Sequence, residues 1–414
     1  MKTESTTLVI GGGVIGLCSA YFLARAGERV TVIDRDSTRR ESCSDRNAGM
    51  VVPSHFIPLA APGVISQGLK WMLDRRSPFY LRPRLDRRLA VWLWHFLRHA
   101  NRRHVGNSRE LLRDLSLESR SLFGELAETL GFELVERGLL MLCRSEAGLR
   151  DEIEVAEEAL QLGIEAEVCE PERLRELDPA VEMDALGGVW YPRDAHLDPT
   201  LFLAALRRGI RACGGEFRDD EITGFSANAG QLEAAQCKSG ERLGANRFVI
   251  AGGAWTPALA RHLGLELPMQ AGKGYSFTLP TPAQLPALCS LLKEGRVAVT
   301  PMGPSLRVGG TMEIGGNDLG VDRRRLEGIA TSFCRFFPRF SPRDFDNLEP
   351  WVGLRPCSPD GLPYLGRTPR FSNAIIATGH AMLGLSLGPV TGRLVRDLAL
   401  ESVPTDVRIA PSRF

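Results

Sequence analysis

The first part of the chain alternates short apolar runs with a glycine turn and one amphipathic segment. Apolar residues fill positions 8–10, glycines occupy 11–13, and apolar residues at helical spacing follow over 17–26. A second β-branched run then ends at Asp34. The spacing of the apolar residues indicates the type of each element, and the glycines mark where elements end. This order therefore predicts a strand, a turn, a helix and a second strand.

The remaining pattern predicts further helices and a second sheet. Helical spacing predicts helices over 107–131, 146–162, 200–213, 323–337 and 390–400. Strands are predicted over 133–143, 187–191, 247–251, 274–279, 297–301 and 306–314. A chain of 414 residues exceeds the size of one hydrophobic core, so we expect two domains.

The glycines of the first turn have the spacing of a dinucleotide site. Gly11, Gly13 and Gly16 form G-x-G-x-x-G after a strand and before a helix. In that setting they allow a tight turn, close approach of backbone to a pyrophosphate, and close helix–strand packing. Asp34 ends the second strand, where a carboxylate can accept hydrogen bonds from ribose hydroxyls. The motif alone leaves NAD and FAD open.

A polar loop over 35–46 follows Asp34 and ends in Asn47-Ala48-Gly49. A loop in this position would lie over the cofactor, which makes Ser44, Asn47 and the Gly49 backbone candidate contacts. A solvated connection that ends in an Asn-Ala-Gly turn explains the same residues equally well.

Aromatic and basic residues are interleaved over 71–104. Arginine with tryptophan on one helix could form a surface that touches anionic lipid. We favour an amphipathic helix that packs its aromatic side chains on the core and leaves its arginines in solvent.

Composition excludes several classes of protein and site. The 51 basic and 50 acidic residues nearly cancel, which gives no indication of a nucleic-acid partner. The nine cysteines and seven histidines show no metal-ligand spacing, so we expect no metal site, and free thiols indicate a reducing compartment. The N-terminal residues resemble neither a signal peptide nor a membrane span, so we expect a cytoplasmic protein.

Several spaced motifs occur in one order along nearly the whole chain: the glycine turn, the Asn47-Ala48-Gly49 loop, Ala251-Gly252-Gly253-Ala254-Trp255, Gly353-Leu354-Arg355-Pro356 and Gly379-His380. With them the chain resembles the D-amino acid oxidase superfamily of FAD-dependent oxidoreductases, and within it the bacterial D-amino acid dehydrogenases, including those that act on D-hydroxyproline. The resemblance favours FAD over NAD.

The resemblance implies an α/β fold with a Rossmann-like FAD-binding domain of the glutathione reductase type. A second α+β substrate domain would contain a largely antiparallel sheet. The FAD-binding domain would comprise residues 1–54, 199–264 and 346–414, and the substrate domain residues 55–198 and 265–345.

The resemblance also implies which residues hold FAD, without a covalent bond. The implied cofactor-binding residues are Gly11, Gly13, Val14, Ile15, Gly16, Asp34, Arg35, Ser44, Asn47, Ala48, Gly49, Met50, Ile222, Ala251, Gly252, Gly379, Met382, Leu383, Gly384 and Leu385. The covalent flavin-linking cysteine of sarcosine-type oxidases has no counterpart, because Cys357 lies directly before Ser358.

Four residues match or lie near the substrate side of the family's site. Arg355 matches the arginine that clamps the substrate carboxylate, a role that suits a planar guanidinium; outside this motif an arginine is usually a surface charge. Tyr275 could offer its hydroxyl to the same substrate, although packing is the commoner role of such a tyrosine. His380 and His55 are candidate polar groups near the substrate, and structural roles are the alternative for both.

The implied reaction is the dehydrogenation of a D-amino acid. A hydride would pass from Cα to flavin N5, and the imino acid would hydrolyse to a 2-oxo acid or remain a cyclic imine. The lysine that promotes reaction with oxygen in related oxidases is matched here by Arg307, which favours a dehydrogenase with a quinone or an electron-transfer partner as acceptor. The stretch 53–59 departs from the D-alanine-type pattern, which indicates D-proline or cis-4-hydroxy-D-proline. The alternatives are a glycine or sarcosine oxidase that makes peroxide, and a flavin-binding subunit of a larger dehydrogenase complex.

Overall fold

The computed structural model describes residues 6–36, 42–72, 77–401 and 403–414. The α-helices of this part of the chain are α1 (Val14–Arg25), α2 (Val64–Met72), α3 (Arg87–His99), α4 (Arg102–Leu130), α5 (Glu146–Gln161), α6 (Pro171–Leu177), α7 (Pro199–Ala212), α8 (Thr256–His262), α9 (Arg323–Phe336) and α10 (Gly388–Leu400). The strands are β1 (Thr6–Ile10), β2 (Arg29–Asp34), β3 (Met50–Val51), β4 (Phe79–Leu81), β5 (Leu139–Cys143), β6 (Glu167–Cys169), β7 (Gly187–Tyr191), β8 (Ala195–His196), β9 (Glu216–Asp219), β10 (Ile222–Asn228), β11 (Gln231–Cys237), β12 (Arg242–Gly244), β13 (Arg247–Ile250), β14 (Gln270–Leu279), β15 (Cys289–Leu292), β16 (Val297–Met302), β17 (Ser305–Ile314), β18 (Trp351–Cys357), β19 (Tyr364–Arg367) and β20 (Ala374–Thr378).

A six-stranded sheet in the order β19-β20-β13-β1-β2-β9 forms the Rossmann-like part of the fold. All its pairs are parallel except the edge pair β19–β20. Its central strands are covered on both faces, which explains why β1 and β13 read as continuous apolar runs rather than alternating ones. The carboxyl ends of β1, β2 and β13 therefore meet at one edge, beside the glycine turn.

The two ends of the chain meet where α1 packs against α10. A Cβ on Gly392 would lie 2.6 Å from the carbonyl carbon of Cys18, and one on Gly388 would lie 2.9 Å from Val14 Cγ2. Only glycine at these two positions lets the helix backbones approach so closely. The C-terminal helix therefore packs directly on the helix that follows the glycine turn.

The second layer is a nine-stranded sheet in the order β18-β14-β17-β16-β15-β5-β7-β6, with β4 beside β17. Most of its pairs are antiparallel, and β15–β5 and β17–β4 are the parallel pairs. The helix α9 covers one face through Ile329, Phe333 and Phe336, which lie in the same apolar cluster as the sheet residues Val299 and Val308. This mixed α/β architecture, with one parallel and one largely antiparallel sheet, is the predicted fold class.

A β-bulge interrupts the pairing of β14 with β17. Lys273 pairs with Glu313 and Tyr275 pairs with Gly310, so Gly274 faces two residues, Thr311 and Met312. Thr311 has φ +69°, a left-handed conformation that β-branched residues rarely adopt.

Most predicted elements are confirmed to within a few residues, including the helices α5, α7, α9 and α10. The strand predicted over 133–143 is too long, because β5 begins at Leu139, after Gly138 with φ +84°. In the predicted division the FAD-binding domain resumes at residue 346, yet β18 pairs within the nine-stranded sheet. If the sheets define the domains, we propose that this boundary follows Cys357.

The described residues include no helix that is both long and apolar enough to cross a membrane. Of the aromatic and basic stretch 71–104, residues 73–76 lie outside the described part, as do residues 37–41 of the polar loop.

Candidate active site

A cleft joins the glycine turn to the edge of the nine-stranded sheet and encloses about 1350 Å³ of empty space, including its open mouth. The lining residues include the predicted positions Gly11, Gly13, Val14, Ile15, Asp34, Arg35, Ser44, Asn47, Ile222, Ala251, Gly252, Gly384, Leu385, Arg355 and His380.

The glycine turn has the tight geometry that its sequence predicts. Gly11 has φ +116°, and a Cβ there would lie 2.7 Å from the carbonyl carbon of Ala251. A Cβ on Gly16 would collide with the carbonyl oxygen of Gly11. Larger residues at these two positions would force the turn open, so the role of Gly11 and Gly16 is to leave space within the turn.

The N-terminus of α1, which is the positive end of its dipole, faces the cleft. Its first turn contains no acidic residue, and the Val14 N–H donates to Ser44 Oγ at 3.0 Å. A Cβ on Gly13 would lie 3.2 Å from Ser42 Oγ and 3.3 Å from Ser44 Oγ, so the two hydroxyls crowd this position. Backbone N–H groups, a helix dipole and serine hydroxyls together form a suitable site for a pyrophosphate.

Asp34 lies at the end of β2, beside the turn. One carboxylate oxygen accepts from the Gly12 N–H and the other from the Asp36 N–H at 2.9 Å. These bonds fix the carboxylate at the cleft, where each oxygen retains further acceptor capacity. Close by, the Arg35 guanidinium lies 3.9 Å from the centroid of the Trp255 ring, and both residues line the cleft.

Arg355 projects from β18 into the other end of the cleft. Its Nη1 donates to the Thr311 carbonyl at 2.8 Å, and no carboxylate forms an ion pair with it among the described residues. Desolvation lowers its pKa from the ordinary arginine value, and it remains a cation at neutral pH. A partly buried guanidinium that keeps most of its donors without a carboxylate is suited to an anionic ligand.

His380 lines the cleft as a neutral side chain. Burial lowers its pKa to about 3, its Nε2 lies 2.9 Å from Thr391 Oγ1, and its buried Nδ1 has no partner in the described part of the chain. A buried nitrogen without a partner beside the cleft is consistent with a hydrogen bond to a bound group.

The structure places Tyr275 away from the cleft. Its hydroxyl donates to Glu313 Oε2 at 3.2 Å and accepts from the Asp322 N–H at 3.3 Å, and its ring packs in the core of the substrate-side sheet. Side chains alternate along a strand, so Tyr275 lies on the opposite face of β14 from the Gly272 position that pairs with Arg355.

His55 also lies outside the cleft lining. Its Nδ1 is 3.0 Å from Ser54 Oγ, and Ser54 Oγ donates to Asp194 Oδ2 at 2.5 Å. Burial lowers the pKa of His55 to about 4 and raises that of Asp194 to about 7.

Seven predicted cofactor residues are not among those that line the cleft: Gly16, Ala48, Gly49, Met50, Gly379, Met382 and Leu383. Gly49 has φ +75°, and its carbonyl accepts a hydrogen bond from the Leu197 N–H. Gly379 has φ +79° and packs on Tyr364.

The cleft contains residues that the sequence analysis did not predict as site residues, including Cys43, Trp255, Leu354 and Thr378. Trp255 and Leu354 lie inside sequence motifs that were used to predict the site, so their position next to predicted residues could have identified them. Nothing in the sequence identifies Cys43 as a site residue, because a single cysteine in a polar loop belongs to no motif. Burial raises the pKa of the Cys43 thiol, and that of Cys357 to about 12, so both are neutral thiols at neutral pH.

All nine cysteines are among the described residues, and they are free thiols. In the same part of the chain no group of three or more His, Cys, Asp or Glu residues could hold a metal ion. The donors that the cleft offers are backbone N–H groups, hydroxyls and guanidinium groups, which suit a dinucleotide and a carboxylate.

The similarity of this chain to known proteins extends over nearly its whole length. The chain is 36% identical over 417 residues to a D-amino acid dehydrogenase of Methylobacterium radiotolerans, covering 96% of each chain. It is 35% identical over 405 residues to a D-amino acid dehydrogenase of Methylobacterium nodulans, again covering 96% of each.

Solved structures share the fold. Glycine oxidase from Geobacillus kaustophilus superposes with a TM-score of 0.78 at 24% identity, covering 99% of this chain and 98% of the other. L-Proline dehydrogenase from P. horikoshii gives a TM-score of 0.76 at 19% identity, covering 100% and 98%. The family model described as "DAO: FAD dependent oxidoreductase" matches residues 6–398. The chain therefore belongs to the DAO family of FAD-dependent oxidoreductases.

Proposed function

We propose that this enzyme dehydrogenates a D-amino acid and passes the electrons to a quinone or an electron-transfer partner. The observation that carries the proposal is Arg355, a guanidinium in the cleft with a carbonyl partner and no carboxylate partner among the described residues. Relatives named D-amino acid dehydrogenase, alike over 96% of the chain, support the substrate class.

Arg355 would fix one end of the substrate. A substrate carboxylate can accept two parallel hydrogen bonds from a guanidinium, and this pairing restricts rotation of the Cα–H bond. The cleft is partly desolvated, which strengthens the charge pair relative to water. Truncating one partner of such a pair costs roughly 2–5 kcal/mol, or about 30-fold to 5,000-fold in kcat/KM.

The glycine turn, Ser44 and Asp34 would hold the cofactor without a covalent bond, from pyrophosphate to ribose. FAD supplies the two-electron oxidation of the substrate's carbon–nitrogen bond when it is bound. His380 is neutral across the physiological range, so it would offer a hydrogen bond at Nδ1 rather than a charge. We assign Tyr275 and His55 to the support of the site, because neither lines the cleft.

A cyclic substrate, D-proline or cis-4-hydroxy-D-proline, is the finer proposal, and it rests on the departure of residues 53–59 from the D-alanine-type pattern. The dehydrogenase rather than oxidase assignment rests on Arg307 at the lysine position of the oxidases. Arg307 Nη1 donates to the Asn47 carbonyl at 3.0 Å, so its side chain is held against the loop that enters the cleft.

A flavin-bleaching screen tests the proposal directly. The purified holoprotein is mixed anaerobically with D- and L-amino acids, glycine, D-proline and cis-4-hydroxy-D-proline, and flavin absorbance is followed. We expect bleaching by D-amino acids, slow reoxidation by air and fast reoxidation by a quinone or a dye. Rapid peroxide formation would instead identify an oxidase.

Variants at two arginines make the screen specific. Arg355→Ala should bind flavin and lose about 30-fold or more of kcat/KM. Arg208→Ala is the matched control, because Arg208 also donates to a carbonyl, that of Leu130 at 3.3 Å, outside the cleft. If Arg355→Ala bleaches as fast as the unchanged protein, the assignment of the clamp is refuted. Turnover by the purified chain with an artificial acceptor would exclude the role of a subunit that contributes assembly alone.

We also propose that the exposed face of α3 contacts an anionic membrane surface. Trp94 and Leu97 are 52% and 55% exposed, whereas Leu89 and Trp92 on the other face are buried. No acidic residue occurs between Arg87 and Arg109. Apolar side chains flanked by arginines alone match the interface of a bilayer that contains anionic lipids.

Vesicle co-sedimentation tests this surface. Binding should be stronger to vesicles that contain anionic phospholipid than to zwitterionic ones, and Leu97→Glu should weaken it. Leu201→Glu is the matched control, because Leu201 is 58% exposed on α7. Equal binding to both kinds of vesicle, or an equal loss in both variants, would contradict the proposal.

A further inference from the structure

We propose that Gly274 and the backbone carbonyl of Thr311 form a seat that fixes the Arg355 guanidinium for substrate binding. This arginine seat rests on the proposed function of Arg355 as the carboxylate clamp. Neither Gly274 nor Thr311 touches the substrate in this view, so both are positioning residues.

Gly274 provides the floor of the arginine seat. Arg355 pairs with Gly272 across β18 and β14, and its side chain reaches along the strand to lie over Gly274. A Cβ on Gly274 would lie 2.5 Å from both Cζ and Nη2 of Arg355 and would collide with Nη1. All three nearest atoms belong to this one side chain.

The backbone conformation of Gly274 does not explain why it is glycine. It is not one of the glycines with positive φ, so an L-residue could adopt its extended conformation without strain. The space above it is what excludes a side chain. Glycine inside a strand weakens the strand, so its presence in the middle of β14 indicates a close approach by another group.

The Thr311 carbonyl provides the wall of the arginine seat. It accepts from Arg355 Nη1 at 2.8 Å, and it points there because the bulge breaks the ladder opposite Gly274. The left-handed backbone of Thr311, φ +69°, is a strained conformation for a β-branched residue. The next residue is tied down separately, because the Met312 N–H donates to the Pro78 carbonyl at 2.7 Å.

Floor and wall together restrain the guanidinium in two directions. One N–H of Nη1 is used by the Thr311 carbonyl, and the other donors remain for a carboxylate. A methyl group on Gly274 would displace the guanidinium by about 1 Å, because its Cζ and Nη2 would have to move from 2.5 Å to an ordinary contact distance of 3.4 Å or more. Misplacement of a positioning group by about 1 Å can cost on the order of 10²-fold in rate.

The test compares a substrate that has a carboxylate with one that lacks it. The probes are the amino acid that bleaches the flavin fastest in the screen and its carboxamide, and the readout is the ratio of their kcat/KM values. In Gly274→Ala we expect this ratio to fall about 10-fold or more, chiefly through KM for the acid, with flavin still bound. Gly244→Ala on β12 is the matched control, because its Cβ would meet the Glu233 carbonyl oxygen at an ordinary 3.6 Å.

Each outcome separates this inference from the proposed function. If Arg355→Ala abolishes the preference for the acid while Gly274→Ala leaves it intact, the clamp stands and the seat is overturned. If Arg355→Ala keeps the preference, or if no amino acid bleaches the flavin, the proposed function fails and the seat fails with it. An equal ratio in Arg355→Ala and in the double variant Gly274→Ala/Arg355→Ala supports the seat, because Gly274 then acts only through Arg355.

A folding defect also gives an answer. If Gly274→Ala fails to retain flavin, the double variant Gly274→Ala/Arg355→Ala decides, because it lacks all three arginine atoms that the methyl group would strike. Recovery of flavin binding in the double variant supports the seat. If flavin binding does not recover, the clash lies elsewhere and the arginine seat is overturned.

Discussion

Asp194 should make the stability of this enzyme fall as the pH rises toward neutrality. Its carboxylate is fully buried, and desolvation raises its pKa to about 7 even though it accepts from the Ser54 N–H and hydroxyl. The perturbation is Asp194→Asn. The asparagine Oδ1 can still accept from the Ser54 N–H, and the side chain stays neutral at every pH.

The sign and size follow from the two pKa values. The carboxyl has an ordinary value of 3.8 and a folded value of about 7, so between them the folded chain binds more protons than the unfolded chain. The free energy of unfolding therefore falls by about 1.4 kcal/mol per pH unit in this window, or about 4 kcal/mol in all. Between pH ~5.5 and ~7 the expected change is about 2 kcal/mol.

Three buried histidines act in the opposite direction. Burial lowers the pKa of His55 and of His196 to about 4 and that of His380 to about 3, so each contributes stability above the ordinary value of 6.5 that is lost as the pH falls through the folded value. The raw pH profile of the unchanged protein therefore mixes both effects. The difference between Asp194→Asn and the unchanged protein isolates the carboxyl.

The assay is the melting temperature of the holoprotein at a series of pH values. For a chain of 414 residues that unfolds cooperatively, 2 kcal/mol corresponds to about 2 °C. Relative to that of the unchanged protein, the melting temperature of Asp194→Asn should rise by about this much between pH ~5.5 and ~7 and should not rise further above that range. Asp151→Asn, on the exposed face of α5, serves as control. A difference that does not change with pH would show that Asp194 does not titrate in this range.

Two glycine substitutions test the packing around the cofactor site. Gly16→Ala should lose its flavin during purification, because the new methyl group would strike the Gly11 carbonyl. The measurement is the ratio of flavin to protein absorbance, and a full flavin content would contradict the turn geometry. Gly392→Ala should destabilise by about 1–3 kcal/mol, because its Cβ would lie 2.6 Å from the carbonyl carbon of Cys18. Gly124→Ala, with no atom within 4 Å of its Cβ, should instead gain about 0.5–1 kcal/mol, so equal melting temperatures for the two variants would refute the close helix contact.

The cofactor end of the site was predictable because its determinants are local. Gly11, Gly16 and Asp34 act through a turn, a helix start and a strand end that lie within one stretch of chain, and periodicity shows all three. The family resemblance added Arg355 and His380, which no local pattern would have distinguished from surface or core residues.

The substrate end was less predictable because it depends on which strands pair and on which face. Tyr275 follows Gly274 directly, yet alternation along β14 turns one toward the core and the other toward Arg355. The bulge at Thr311 is a feature of register, and register is set by contacts between distant strands. Neither could be read from a single sequence.

The packing of α10 on α1 has a consequence during synthesis. The nascent chain leaves the ribosome with β1, the glycine turn and α1 well before β20 and α10. Until then, the face of α1 that later receives Gly388 and Gly392 lacks its cover, and the parallel sheet lacks β20. The uncovered face of α1 therefore stays exposed, and the cofactor cleft stays incomplete, while the ribosome synthesises the chain between α1 and α10.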